Sequence, residues 1–239
     1  NIDVTNMGAT EVVKMIKNTT DYFTLQLQRG TTVVNVSLKN EKLIAPNTDY
    51  YMIENTSIGY LSMETFSNTL ATQVEKALND LESNGMTSLI IDLRENTGGY
   101  LTAATDVASI FLEKGKRIYG LEYQNEVTNY NDETREHKEY NIVVLINENT
   151  ASASEILASA LKESYGATIV GETSFGKGKV QQTMQLDDGS MVKYTSAYWL
   201  TPNGTCIDGV GISPDYYVTN EQTTDENGNI TGITDLQLN

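Results

Sequence analysis

Ser88-Leu89-Ile90-Ile91-Asp92-Leu93, followed by Asn96-Thr97-Gly98-Gly99 and a stretch running from Leu101 to Glu113, decides how the chain folds. The first of these is a continuous apolar run, as expected of a strand covered on both faces of a sheet. The glycine turn then feeds it into a helix over Leu101 to Glu113. Working outward, the same strand-then-helix unit recurs. Upstream, Ile58 to Leu61 reads as a short strand. Phe66 to Leu81 reads as an amphipathic helix with Leu70, Val74, Ala77, Leu78 and Leu81 aligned. Downstream, Asn141 to Asn147 is a second buried strand that leads into a helix near Ser152, and Thr168 to Gly171 is a third. Such units build an α/β fold with a mostly parallel sheet flanked by helices. Val180 to Leu186 and Met191 to Trp199 alternate about Asp188-Gly189, the signal of an added two-residue hairpin.

The flanks read differently. Thr10 to Lys17 has helical apolar spacing with Thr10 as N-cap. Tyr22 to Gln28 and Val33 to Leu38 alternate as strands joined at Arg29-Gly30. This unit ends near Pro46 and is too short to hold a core of its own. Tyr123 to Tyr140 is a polar stretch, and the tail from Glu221 is polar, an edge strand or loosely held. The expected division is therefore 1–45, a core over 46–220, and a tail over 221–239.

Composition removes several function classes. The 239 residues include 32 acidic and 16 basic side chains, a net charge of −16. That balance argues against a grip on nucleic acid or on an anionic membrane. With 39% hydrophobic and 20% charged residues the chain is globular in type. The single cysteine, Cys206, excludes internal disulfides, cysteine-rich zinc sites and iron–sulfur ligation. The single histidine, His137, means that any Ser-His-Asp, Cys-His or multi-histidine metal mechanism must run through it. It lies in Thr134-Arg135-Glu136-His137-Lys138-Glu139, where a solvated surface histidine is the favoured reading. No run approaches the ~18 apolar residues of a membrane-spanning helix. The chain opens on Asn1, not methionine, which reads as a mature form or an expressed fragment.

Three turns stand at the ends of buried strands, where open α/β sheets bind ligands. They are 92–99, 149–155 and Gly171-Glu172-Thr173-Ser174-Phe175-Gly176-Lys177-Gly178. The last matches seven positions of a phosphate loop. However, Gly178 stands where a magnesium-binding hydroxyl is needed, and a strand pattern follows instead of a helix. A nucleophile site fits better. Ser152 or Ser154 lies at a helix N-terminus that favours an oxyanion, although Ser152-Ala153-Ser154-Glu155 is also a good capping box. A lysine is the remaining strong base. Lys177 sits in a glycine turn beside Phe175, which reads as the desolvated, low-dielectric position a lysine base needs, and Lys179 competes with it; spacing alone does not choose.

Together these motifs, with Gly209-Val210-Gly211-Ile212-Ser213-Pro214-Asp215, resemble the C-terminal processing, or tail-specific, protease family, collinearly from about Ile58 to Val218. The resemblance implies a core akin to the ClpP/crotonase α/β spiral and a Ser-Lys endopeptidase without metal or organic cofactor. It makes Ser152 the nucleophile, Lys177 the general base and Gln181 the residue that holds the lysine. If a strand begins by Lys177, Lys177 and Gln181 share one face. The oxyanion hole would use the Ala153 and Gly98 amides, with Gly99 the less favoured choice, and Ser154 becomes structural. Implied partners are unfolded or flexible protein C-termini, with a homo-oligomer admitted, in an extracytoplasmic setting. Residues 1–45 resemble only the last helix and closing strands of a PDZ domain, without its carboxylate-binding loop. The competing readings are an inactive peptide-binding scaffold of the same fold and a nucleotide-binding module.

Overall fold

A computed structural model describes residues 2–19, 21–41, 45–224 and 230–238. The chain divides into two compact units, Asn1–Ala45 and Pro46–Asn239. In the first, helix α1 (Ala9–Lys17) precedes strands β1 (Phe23–Arg29) and β2 (Thr32–Leu38). The strands pair antiparallel, with Phe23 opposite Leu38 and Arg29 opposite Thr32. The helix begins one residue before the expected cap. Gly8, in extended conformation, takes the N-cap position and its carbonyl accepts the Glu11 and Val12 N–H groups.

The second unit is an α/β core. Its elements are β3 (Thr48–Met52), β4 (Ile58–Met63), α2 (Leu70–Ser83), β5 (Ser88–Asp92), α3 (Leu101–Phe111), β6 (Arg117–Tyr123), β7 (Glu126–Asn131), β8 (Asn141–Ile146), α4 (Ala153–Ala160), β9 (Thr168–Gly171), β10 (Lys179–Gln185), β11 (Met191–Leu200), β12 (Tyr216–Tyr217), β13 (Glu221–Thr224) and β14 (Ile230–Thr234). One π-helical turn, Leu161–Tyr165, extends α4. The main sheet runs β12-β9-β8-β5-β4-β3 and is parallel except at the β3 edge. Leu89, Ile91, Val144, Ile146 and Ile169 are buried in it. The five apolar residues aligned on α2 are all buried, as their spacing requires. The α3 helix packs on α2 and α4.

Three elements depart from expectation. First, α2 starts at Leu70, because the Phe66 backbone is taken by the glycine turn: Phe66 N–H donates to Gly98 O (3.1 Å) and Phe66 O accepts Tyr100 N–H (2.7 Å). Second, part of the polar stretch forms a hairpin of β6 and β7, turning at Gln124 and Asn125, both at positive φ (52° and 68°). Third, the hairpin expected as an addition belongs to a separate antiparallel sheet, β10-β11-β6-β7, and its connection spans 186–190 instead of two residues. The tail also has structure, since β13 pairs with β14 and Asp235 reaches Arg94 (2.8 Å).

Candidate active site

The turns after β5, β8 and β9 converge. Thr150 Oγ1 donates to Leu93 O (2.9 Å), and Ala151 N–H (3.0 Å) and Ser154 Oγ (2.9 Å) both donate to Asn96 O. Ser154 is fully buried and occupied in this joint. Ser152, half-buried, caps α4 at φ 60°, ψ −118°. A residue with a Cβ in that region stores on the order of 1–3 kcal/mol, and such strain concentrates where a side chain must be aimed. The strand-to-helix elbow of α/β-hydrolases presents a serine on the same kind of strained turn.

What holds the strained turn is Glu155, whose side chain is fully buried. One carboxylate oxygen accepts from Ser174 Oγ (2.6 Å) and Gly176 N–H (2.7 Å). The other accepts from Ser152 N–H (2.8 Å) and Lys177 N–H (2.9 Å). The capping-box contact is therefore a quarter of its work. The carboxylate ties the serine turn to the lysine turn, with both oxygens saturated as a buried charge requires. Gly209-Val210-Gly211-Ile212 braces the lysine turn from outside: Gly209 N–H donates to Gly176 O (2.9 Å) and Ile212 N–H to Ser174 Oγ (2.7 Å). Replacing Glu155 by glutamine puts an NH₂ group against two of these donors. We expect a loss of about 3 kcal/mol or more. Thermal unfolding checks this, and for a domain of this size it reads as a fall of roughly 10 °C.

The amides expected to form the oxyanion hole differ in what they bond. The Gly98 N–H is spent on Asn96 Oδ1 (2.9 Å). Among the described residues the Gly99 and Ala153 N–H groups have no acceptor. Gly99 cannot be replaced without cost: its φ is +153°, and a Cβ there would lie 2.3 Å from Phe66 O. Gly99→Ala should therefore displace the turn and depress both stability and any activity that uses it, measurable by unfolding and peptide cleavage together.

Ser152, Ala153, Gly99, Lys177 and Gln181 line one cleft of about 300 Å³. No hydrogen bond joins Ser152 to Lys177 among the described residues. Two further details revise the strand argument. β10 begins at Lys179, not at Lys177, and its register shifts between Val180 and Gln181. The bulge, not an even two-residue period, sets where Gln181 points. Lys177 is exposed and Phe175 is 63% exposed, so the glycine turn is not the desolvated setting expected for it. The Lys177 backbone is nonetheless fixed, because Trp199 Nε1–H donates to its carbonyl (2.7 Å). The two lysines now separate. Lys179 Nζ pairs with Asp208 (3.1 Å), whose hydrogen bond and charge hold the ammonium proton more tightly than usual. Lys177 Nζ has no partner among the described residues. His137 lies elsewhere, against Glu139 (3.1 Å), and does not line the cleft.

Residues 57–218 match the peptidase family S41. The chain belongs to that family. It is similar to a probable CtpA-like serine protease of Staphylococcus aureus (strain N315), 38% identical over 210 residues, which cover 86% of this chain and 42% of the relative. A probable CtpA-like serine protease of Staphylococcus epidermidis (strain ATCC 12228 / FDA PCI 1200) is 34% identical over 209 residues, with the same coverage of 86% and 42%. The chain thus spans less than half the length of these relatives. Among solved structures, the photosystem II D1 C-terminal processing protease matches with a TM-score of 0.68 and 28% identity, covering 84% of this chain and 56% of that one.

In this S41 chain the phosphate-loop resemblance has a structural explanation. The Gly176 and Lys177 amides, which a phosphate would occupy, are filled by the Glu155 carboxylate, and a strand follows where a helix would be needed. Sequence reasoning missed two residues. Glu155 was visible only as a cap, and its long-range donors carry no periodic signal. Arg94, bridging Asp92 and Asp235, stands two residues before the glycine turn. Burial works against its charge, but Asp92 and Asp235 outweigh it and raise its pKa.

Proposed function

We propose that the chain is the catalytic core of a serine endopeptidase that cuts flexible proteins near their C-termini. The observation that carries this reading is the cleft lined by both Ser152, on a strained turn, and Lys177, unpaired among the described residues, in a chain of the S41 family. Ser152 Oγ attacks the scissile carbonyl. Lys177 takes its proton and returns it to the leaving amine, and Gln181 orients the lysine. The free N–H of Ala153 meets the oxyanion at the α4 N-terminus. The Gly98-Gly99 turn supplies the second donor, from Gly99 while Gly98 remains bound to Asn96. Lys179 is the poorer base because Asp208 holds its proton. Neither a metal nor an organic cofactor enters these steps.

An extracytoplasmic location and a PDZ-like origin for residues 1–45 belong to the same reading, drawn from the family resemblance. Among the described residues no helix is long and apolar enough to cross a membrane. The test is incubation with a reduced, carboxymethylated protein and mass mapping of the fragments. Cuts should cluster toward the C-terminus and survive both a chelator and His137→Ala. Loss of cleavage on either treatment would contradict the proposal.

A further inference from the structure

The charge inside the cleft is opposite to that of the molecule. The chain carries 32 acidic and 16 basic residues, yet among the described residues three lysines, Lys177, Lys179 and Lys193, line the cleft and no carboxylate does. Glu155, buried and bonded to the Ser152 and Lys177 amides, has both oxygens taken by protein donors. Each lysine has a different status. Lys179 is neutralised by Asp208. Lys177 must be uncharged to act as a base, on the reading above. Lys193, opposite Thr183 in the β10–β11 pairing, has no partner among the described residues. It is the cation left over.

We propose that Lys193 is a specificity-determining residue that receives a carboxylate of the peptide substrate close to the scissile bond. This deepens the peptidase reading and rests on it. A cleft with a surplus cation in a strongly acidic protein favours an anionic ligand twice over. The local field attracts the carboxylate, and the acidic exterior repels the same group from other docking positions. The apolar part of the cleft, Leu101, Ile156, Val180 and Trp199, would take the neighbouring side chains. Two groups on a peptide offer the required chemistry: the chain-terminal carboxylate and an aspartate or glutamate side chain.

Fluorescence anisotropy on Ser152→Ala protein separates the sources. The probe is one labelled peptide in three forms: free acid, C-terminal amide, and free acid with its internal aspartate changed to asparagine. One neutralised form should bind about fivefold more weakly than the parent, the size of a single solvent-accessible ion pair. Weakening of the amide identifies the chain terminus, and weakening of the asparagine form identifies the side chain. The difference should shrink at high salt and vanish in Ser152→Ala/Lys193→Gln, which binds all three alike. Equal binding of the three forms to the Ser152→Ala protein, or a preference that survives Lys193→Gln, overturns the inference. Wild-type cleavage of the parent peptide is read in parallel. Cleavage with no carboxylate preference sinks this inference alone, whereas no cleavage together with no labelling of Ser152 by a fluorophosphonate sinks the peptidase reading and this inference with it.

Discussion

Ser152→Ala is expected to lower peptide cleavage by at least about 10⁴-fold, the scale on which removal of a hydrolase nucleophile acts. Its stability should hardly move, because alanine carries the same Cβ through the same positive φ of 60°. Ser152→Gly is the sharper experiment. It removes the nucleophile as completely, but glycine tolerates this backbone, so up to about 1 kcal/mol of strain is released after its own entropy cost. The melting temperature should rise by about 2–4 °C while activity disappears. Strain, aim and reactivity would then be shown to meet at one residue. Retained cleavage in either variant, or a glycine variant less stable than the alanine one, would contradict this.

Lys177→Ala is expected to be the second large loss, about 10³-fold or more in kcat/KM, as for removal of a general base that acts with the nucleophile. The fold should be spared, because what the structure uses at this position is backbone: the N–H to Glu155 and the carbonyl to Trp199. The side chain itself is exposed and unpaired among the described residues. Lys179→Ala provides the contrast. It breaks only a partly exposed ion pair with Asp208, and solvent-accessible pairs contribute little to stability. Cleavage should fall far less than in Lys177→Ala. The two lysines are two residues apart, so a reversed ranking would move the base from one to the other.

Much of the fold was legible because burial writes directly into apolar pattern. The runs at 88–93 and 141–147 are strands of the main sheet, with alternate residues buried, and the α2 periodicity named its five buried residues. The β6–β7 hairpin was hidden because it turns on Gln124-Asn125, and because β7 is exposed along its whole length and so shows no apolar alternation. Phe66 reads as the start of a helix, and only tertiary bonding to Gly98 and Tyr100 withdraws its backbone from one. The site shows the same division. Ser152 stands at a strand-to-helix junction that sequence can locate. The role of Glu155 depends on donors 19 to 22 residues away, which no local pattern announces. The Gly98 amide had a local signal: an asparagine two residues earlier is the residue type that turns back on its own backbone. Which of the two lysines is paired depends on Asp208, contributed by a distant loop.

The most direct measurement is site mapping of a fluorophosphonate adduct by peptide mass spectrometry across four proteins: wild type, Lys177→Ala, Lys179→Ala and His137→Ala. A Ser152–Lys177 dyad predicts a single adduct on Ser152 that forms in wild type, Lys179→Ala and His137→Ala and is lost or slowed by about 10³-fold in Lys177→Ala. An adduct on another residue, or one that survives Lys177→Ala and disappears in His137→Ala, would contradict the dyad.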